Sequence, residues 1–151
     1  MDHHRTIARL ISLTRFEIDI VKAYGLALDH LTEPAMRDAV FHLKADCERH
    51  VLELSEVLRA LGSEPPAFER DLKGYVMACV TALRSAEGHD GAVRAISALS
   101  LAAIERYGDT LDWNEPMEVL AMLQSYQADH RRNLDAVIAE TVPAAAFGVG
   151  G

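Results

Sequence analysis

The stretch MRDAVFHLKADCERHVLELSEVLRALG, residues 36–62, decides the fold class of this chain. Its apolar side chains recur at alternating steps of three and four residues, which places them on one face of an α-helix. A glycine ends the stretch and Pro65-Pro66 follows it, a pattern typical of a helix C-terminus. The face comprises Met36, Val40, Leu43, Cys47, His50, Leu54, Leu58 and Leu61. The pattern predicts one long amphipathic helix here.

Three further stretches, residues 7–31, 93–111 and 119–137, carry the same spacing and predict three more helices. Thr32-Glu33-Pro34 separates the first two helices, and Thr32 is expected to cap the second one. Asn114-Glu115-Pro116 separates the last two in the same way. Because each pair is joined by a short connection, the sequence predicts two αα-hairpins that bury their apolar faces against each other as a four-helix bundle.

The segments outside these four helices give three weaker predictions. A shorter amphipathic stretch, about residues 68–85, predicts an extra helix in the long crossover between the hairpins. Residues 87–91 predict a loop, and residues 143–151, which are small and apolar, predict a flexible tail. The length of 151 residues suits one domain, which we assign to residues 1–142.

Composition and charge exclude several classes of function. A net charge of −8 repels phosphate backbones, so we expect no nucleic-acid partner. No apolar run approaches the roughly 18 residues of a membrane span, so we expect no membrane insertion. Two cysteines do not form a disulfide framework, and the first residues lack a signal-peptide core, so the expected location is the cytoplasm.

The two predicted hairpins share a sequence repeat. Tyr24-Gly25 and Tyr107-Gly108 are separated by 107 − 24 = 83 residues, and the same offset relates Ala45-Asp46 to Ala128-Asp129 and Arg49 to Arg132. Glu-Pro dipeptides match near the same offset at both helix breaks. We interpret the two halves as copies of one helix-pair unit.

Polar residues interrupt the apolar faces at matching places, and burying them unpaired costs roughly 1–3 kcal/mol each. The first half has Glu17 on the first helix, with Cys47 and His50 three residues apart on the second. At the offset of 83, the second half has Ser100, His130 and Asn133.

This arrangement resembles the ligand set of the ferritin-like superfamily, in which helical bundles hold two iron ions, and most of all that of small bacterial ferritin-like proteins. Glu17 stands seven residues before Tyr24, as the family's carboxylate does before its tyrosine. Residues 46–50, DCERH, and residues 128–133, ADHRRN, resemble the family's second-helix and fourth-helix motifs. Residues 71–74, DLKG, add a weaker resemblance in the crossover. The likeness implies a ferritin-like bundle over residues 7–140.

The ligand set departs from the family pattern in a way that changes the expected chemistry. Of the six matching positions, only Glu17 and His50 keep the family's residue, and the motif glutamates are absent. A dinuclear iron site needs bridging carboxylates, so ferroxidase activity is not expected.

Two interpretations of the remaining polar residues follow. In the first, the site has decayed, Glu17 pairs with His50 or His130, and the protein is a non-catalytic structural or interaction protein. In the second, Glu17, Cys47, His50 and His130 hold a single metal ion, Zn²⁺ or iron, because carboxylate, thiolate and imidazole donors suit such ions.

Several other residues are assigned plainer roles. Tyr24 and Tyr107 are expected to fill the core with their hydroxyls bonded. His42 lies beside the buried face, and Glu48 and Glu105 are expected to be solvated. We also expect a homo-oligomer, most simply a dimer, through the crossover helix.

Overall fold

The computed structural model describes residues 3–67 and 89–141, and within them every regular element is helical. These elements are α1 (His3–Leu28), α2 (Pro34–Ala60), α3 (His89–Asp109), a 3₁₀ turn (Thr110–Asp112) and α4 (Met117–Thr141). The all-α prediction is confirmed. The predicted crossover helix and C-terminal tail lie outside the described residues.

The four helices pack as a four-sided bundle. α1 packs most extensively against α2 and α3 against α4, while α2 meets α4 and α1 meets α3 more sparsely. Within the described residues, the backbone of α1 does not come close to that of α4, nor that of α2 to that of α3, so these pairs lie across the bundle from each other. As far as the structure describes them, none of the four helices has an apolar stretch of the kind that a membrane crossing requires.

The ends of α2 show one correct and one wrong prediction. Gly62 adopts φ +83°, and the amides of Gly62 and Ser63 donate to the carbonyls of Arg59 and Leu58, which is the glycine stop that the sequence predicts. The predicted cap at Thr32 is wrong. The N-cap is Glu33, in extended conformation and without a side-chain cap bond, because the proline at the next position forces its predecessor out of the helical region.

Both ends of α3 differ from the sequence prediction. The helix begins at His89, so residues 89–91 are helical rather than part of a loop, and Asp90 in the first turn suits the positive end of the helix. At the other end the chain tightens into the 3₁₀ turn, where the Thr110 hydroxyl donates to the Tyr107 carbonyl at 2.6 Å. Leu111, predicted to lie on the apolar face, is therefore 48% exposed.

The connection between α3 and α4 is tied to the start of the chain. The Glu115 carboxylate accepts hydrogen bonds from Thr6 and from Arg9, the latter at 2.9 Å. The Arg9 guanidinium also lies 4.8 Å from the ring centroid of Trp113. These contacts fix the connection against α1.

Two apolar clusters form the core, with a buried polar layer between them. One cluster contains Leu10, Leu13, Leu54, Leu58, Tyr107, Leu123 and Tyr126. The other includes Phe16, Ile20, Tyr24, Val40, Leu43, Cys47, Ile96, Ala103 and Val137. The buried polar residues of the layer are Thr14, Glu17, His50, Ser100, His130 and Asn133. The polar positions predicted to interrupt the apolar faces are thus buried.

We expect Leu54→Ala to lower the free energy of unfolding by about 2–5 kcal/mol, because removing a fully buried leucine leaves a cavity. Leu54 is 0% exposed, whereas Leu52 on the same helix is 66% exposed. Leu52→Ala is the matched control and should change stability by no more than about 0.5 kcal/mol. Urea unfolding followed by circular dichroism measures both variants, and equal losses would contradict the assigned face of α2.

Candidate metal centre

Three helices bring the four predicted metal ligands to one point. Glu17 comes from α1, Cys47 and His50 from successive turns of α2, and His130 from α4. The side chains are 0–1% exposed, and one donor atom from each lies within 4.8 Å of the other three. The i, i+3 spacing on α2 is what directs the thiol and the imidazole to the same side.

The Glu17 carboxylate is the centre of the hydrogen-bond network in this cluster. Its Oε1 accepts the Tyr107 hydroxyl at 2.6 Å, His130 Nε2–H at 2.8 Å and His50 Nδ1–H at 3.1 Å. Among the described residues, its buried Oε2 atom has no hydrogen-bond partner, and neither does Nδ1 of His130. Three donors therefore converge on one oxygen while the other buried oxygen has none.

The electrostatics of the cluster favour a charged carboxylate despite complete burial. Burial alone raises the pKa of Glu17, but the charges and hydrogen bonds of His130 and His50 outweigh it, so this pKa lies well below its usual range. Burial also lowers the pKa of His50, yet its bonds to Glu17 and Asp129 raise it overall. In the metal-free protein, Glu17 and His50 therefore form a buried ion pair.

Asp129 holds the outer edge of the His50 ring. Nε2–H of His50 donates to Oδ2 of Asp129 at 2.8 Å, and Arg49 donates to the same oxygen at 2.6 Å. Burial raises the pKa of Asp129, but the bonds from His50 and Arg49 lower it overall. Because Nε2 carries the proton shared with Asp129, Nδ1 is the atom that faces the cluster.

Burial and the negative charge of Glu17 keep the neighbouring thiol and phenol protonated. Burial, and then the charge of Glu17, raises the pKa of the Cys47 thiol well above its usual value. The same two causes raise the pKa of Tyr107. A divalent cation at this point would reverse the balance for Cys47, because a bound cation favours the thiolate.

The contacts around the cluster come in pairs related by the offset of 83. Tyr24 lies 3.1 Å from Ser100, as Tyr107 lies beside Glu17. Asn133 Nδ2 donates to Asp46 at 2.9 Å, as His50 donates to Asp129. Arg132 donates to Asp46 at 3.1 Å, as Arg49 donates to Asp129. Ser100 and Asn133, which stand at the offset of 83 from Glu17 and His50, are bonded outside the cluster.

Sequence reasoning missed Asp129 as the partner of His50. The repeat did contain the signal, since Asp46 and Asp129 recur with Arg49 and Arg132, but spacing along one helix cannot tell which opposite helix a side chain reaches.

Three residues predicted to lie outside the site do so: His42, Glu48 and Glu105 are exposed. Glu48 pairs with Lys44 at 3.0 Å on the surface.

A tyrosine ring stacks on each of the two histidines. The His50 ring stacks on Tyr126 with centroids 3.9 Å apart, and the His130 ring stacks on Tyr107 at 5.5 Å. The Tyr126 hydroxyl donates to Glu53 at 3.0 Å. This packing fixes the orientation of both imidazoles, and with it the positions of their ring nitrogens.

Comparison with protein-family models, with curated proteins and with solved structures finds no match to this chain.

We expect Tyr107→Phe to destabilise the metal-free protein by about 1.5–3 kcal/mol, since the hydroxyl donates to a buried carboxylate. Tyr24→Phe is the matched control, because Tyr24 is equally buried and bonds the neutral Ser100, and it should cost about 0.5–1.5 kcal/mol. Chemical unfolding in the presence of a chelator measures both. An equal or smaller loss for Tyr107→Phe would show that Glu17 is not charged in the core.

Proposed function

We propose that this protein binds one divalent transition-metal ion, with Zn²⁺ preferred over iron, through Glu17, Cys47, His50 and His130. One observation carries the proposal: four side chains with metal-ligating atoms, from three helices, converge within 4.8 Å in the interior of the bundle. A thiolate, two imidazoles and a carboxylate are all ligands of tetrahedral Zn²⁺.

The spacing of the donor atoms suits a tetrahedral ion after small adjustments. Zinc bonds of about 2.0–2.3 Å separate neighbouring ligand atoms by about 3.3–3.8 Å. Oε1 of Glu17 lies 3.1 Å from Nδ1 of His50 and 2.8 Å from Nε2 of His130, and no pair among the four exceeds 4.8 Å. Movements on the order of 1 Å are enough to accommodate the ion. Its arrival would displace the protons that now bridge these atoms.

Charge balance also supports a divalent ion. The carboxylate and the thiolate contribute two negative charges, the imidazoles are neutral as ligands, and a divalent cation makes the centre neutral. A neutral centre is favoured in an apolar core, where a net charge is expensive. The unpartnered Oε2 of Glu17 would gain a neighbour of opposite charge.

The Asp129–His50 contact supports the same proposal. Metal-bound histidines generally donate their second ring N–H to a carboxylate or carbonyl, which fixes the tautomer and the ring orientation. Asp129 does this for His50 at 2.8 Å, on the side of the ring opposite the cluster. His130 has no such partner among the described residues, so the two imidazoles are supported unequally.

A dinuclear iron centre does not fit these residues. Within the described part of the chain, Glu17 supplies the only carboxylate in the cluster, whereas Ser100 and Asn133 are bonded to Tyr24 and Asp46. Two cations held close together need bridging carboxylates. We infer that the chain is a ferritin-like bundle built from a repeated hairpin, in which the second ion's ligands have been replaced. The paired contacts at the offset of 83 support this inference.

The second candidate is a metal-free structural or interaction protein. The three hydrogen bonds to Oε1 of Glu17 favour it, because they stabilise the buried carboxylate without a metal ion. A homodimer also stays a proposal. Its predicted surface, the crossover helix, lies outside the described residues, and light scattering over a concentration series tests it.

We expect protein purified without a tag or chelator, and refolded with Zn²⁺ or Co²⁺, to bind one ion per chain. Because the site is sealed, the ion enters as the bundle folds. Binding should raise the free energy of unfolding by about 2.7 kcal/mol at a free concentration one hundred times the Kd. Metal analysis and unfolding with and without metal measure the two effects, and Co²⁺ absorption reports tetrahedral thiolate coordination.

Cys47→Ala and His130→Asn should abolish both the bound metal and the stability gain. His42→Asn is the matched control, since His42 is an exposed histidine on α2, and it should behave as wild type. Circular dichroism verifies that each variant folds. A folded wild-type protein that takes up no metal, or that keeps stoichiometric metal in both cluster variants, refutes the proposal in favour of the metal-free candidate.

We expect Asp129→Asn to weaken Zn²⁺ binding about 10- to 100-fold without changing the stoichiometry, because the outer carboxylate orients His50 and raises its basicity. Asp46→Asn is the matched control: Asp46 bonds Asn133 instead of a ligand, so its variant should bind Zn²⁺ like wild type. Competition with a chromophoric chelator gives both affinities. Equal affinities in the two variants would remove Asp129 from the site.

A further inference from the structure

We propose, on the basis of the metal centre inferred above, that the same four donors also accept copper and that the protein carries single electrons, with the copper cycling between Cu(II) and Cu(I).

The donor set favours copper. One cysteine thiolate and two imidazoles are the ligands of copper sites specialised for electron transfer, and Cu²⁺ is bound more tightly than Zn²⁺ by most nitrogen and sulfur donors. Cys47, His50 and His130 supply these three ligands. Glu17 supplies the fourth, an anionic oxygen where such sites commonly have a weak neutral ligand. The carboxylate should therefore stabilise Cu(II) and lower the reduction potential.

The burial of the site limits what kind of reaction it could support. All four ligand side chains are 0–1% exposed, and apolar clusters cover the layer on both sides. Two surface clefts of the described chain, one beside Arg106 and one beside Phe41, are lined by none of the four residues. An ion held by four protein donors and sealed from solvent has no position for a substrate. Such an ion can still transfer electrons, because electron transfer needs no bond between the ion and a substrate.

The His50 ring connects this sealed centre to the surface. Its Nδ1 faces the cluster, while its Nε2–H reaches Asp129, whose side chain is 13% exposed. The same ring stacks at 3.9 Å on Tyr126, whose hydroxyl bonds Glu53, 42% exposed. His50 therefore provides a short path of hydrogen bonds and ring contacts from the ion to the surface between α2 and α4. A one-electron carrier could exchange electrons there.

The redox step balances without any co-reactant beyond an electron donor and an acceptor. A one-electron reductant gives its electron to Cu(II), which becomes Cu(I), and a one-electron oxidant removes it again. No bond forms or breaks, and the Cys47 thiolate is unchanged. The close-packed bundle holds the donors in one arrangement, so little structural change accompanies the cycle.

The test uses the full chain as a Cys79→Ala variant, which leaves Cys47 as the sole thiol, refolded with one equivalent of Cu(II). We expect an intense visible sulfur-to-copper charge-transfer band. One equivalent of hexaammineruthenium(II), a one-electron reductant, should bleach it, and one equivalent of ferricyanide should restore it. The additional substitution Cys47→Ser should abolish the band, and Glu17→Gln should shift the reduction potential upward because an anionic ligand is lost.

The outcomes separate this inference from the proposed function. If the four residues bind Co²⁺ but Cu(II) gives no band that depends on Cys47, or copper oxidises the thiol on mixing, the copper proposal is overturned and the metal centre stands. If neither Co²⁺ nor Cu(II) binds, both proposals are overturned. A reversible band that survives Cys47→Ser would also overturn the copper proposal, because the thiolate would not be a ligand.

Discussion

A carboxylate removed from water needs hydrogen-bond donors or positive charge next to it, and in this protein that requirement determines how the centre of the bundle is arranged. Glu17 has no exposed surface, and the side chains that compensate it come from every other helix: His50 from α2, Tyr107 from α3 and His130 from α4. Burying an isolated charge would cost far more than one domain's stability. The helices must therefore meet in the register that brings these donors together, which an apolar core alone would specify less strictly.

The polar layer also explains why the apolar core is divided. Leucines and tyrosines fill one side, and a larger, mainly aliphatic cluster with side chains from all four helices fills the other, with the charged groups between them. Around this layer, Asp46, Arg49, Asp129 and Arg132 cross-link α2 and α4 near the surface. Pairs so exposed contribute little stability individually. The position of these ion pairs is more important than their contribution to stability, because Asp129 links them to the buried His50.

The sequence predicts much of this fold, and the errors have local causes. Apolar spacing of three and four residues finds all four helices because the period is a property of the helix itself. Helix ends depend on contacts that spacing does not contain, as the positions of Thr32, His89 and Leu111 demonstrate. The four clustered residues could be found because each is a polar residue on an otherwise apolar face. Asp129 and Tyr107 could not be assigned to their partners, since those contacts join different helices.

The pairing of Asn133 with Asp46 bears on how such a bundle could change its chemistry over evolution or by design. Asn133 stands where the second half matches His50, and its outer carboxylate is already in place at 2.9 Å. A histidine there would find its orienting partner ready, so a new ligand could be gained by a single substitution without rebuilding the surrounding shell. The bundle could therefore gain a further imidazole beside Asp46 in exchange for the buried amide of Asn133.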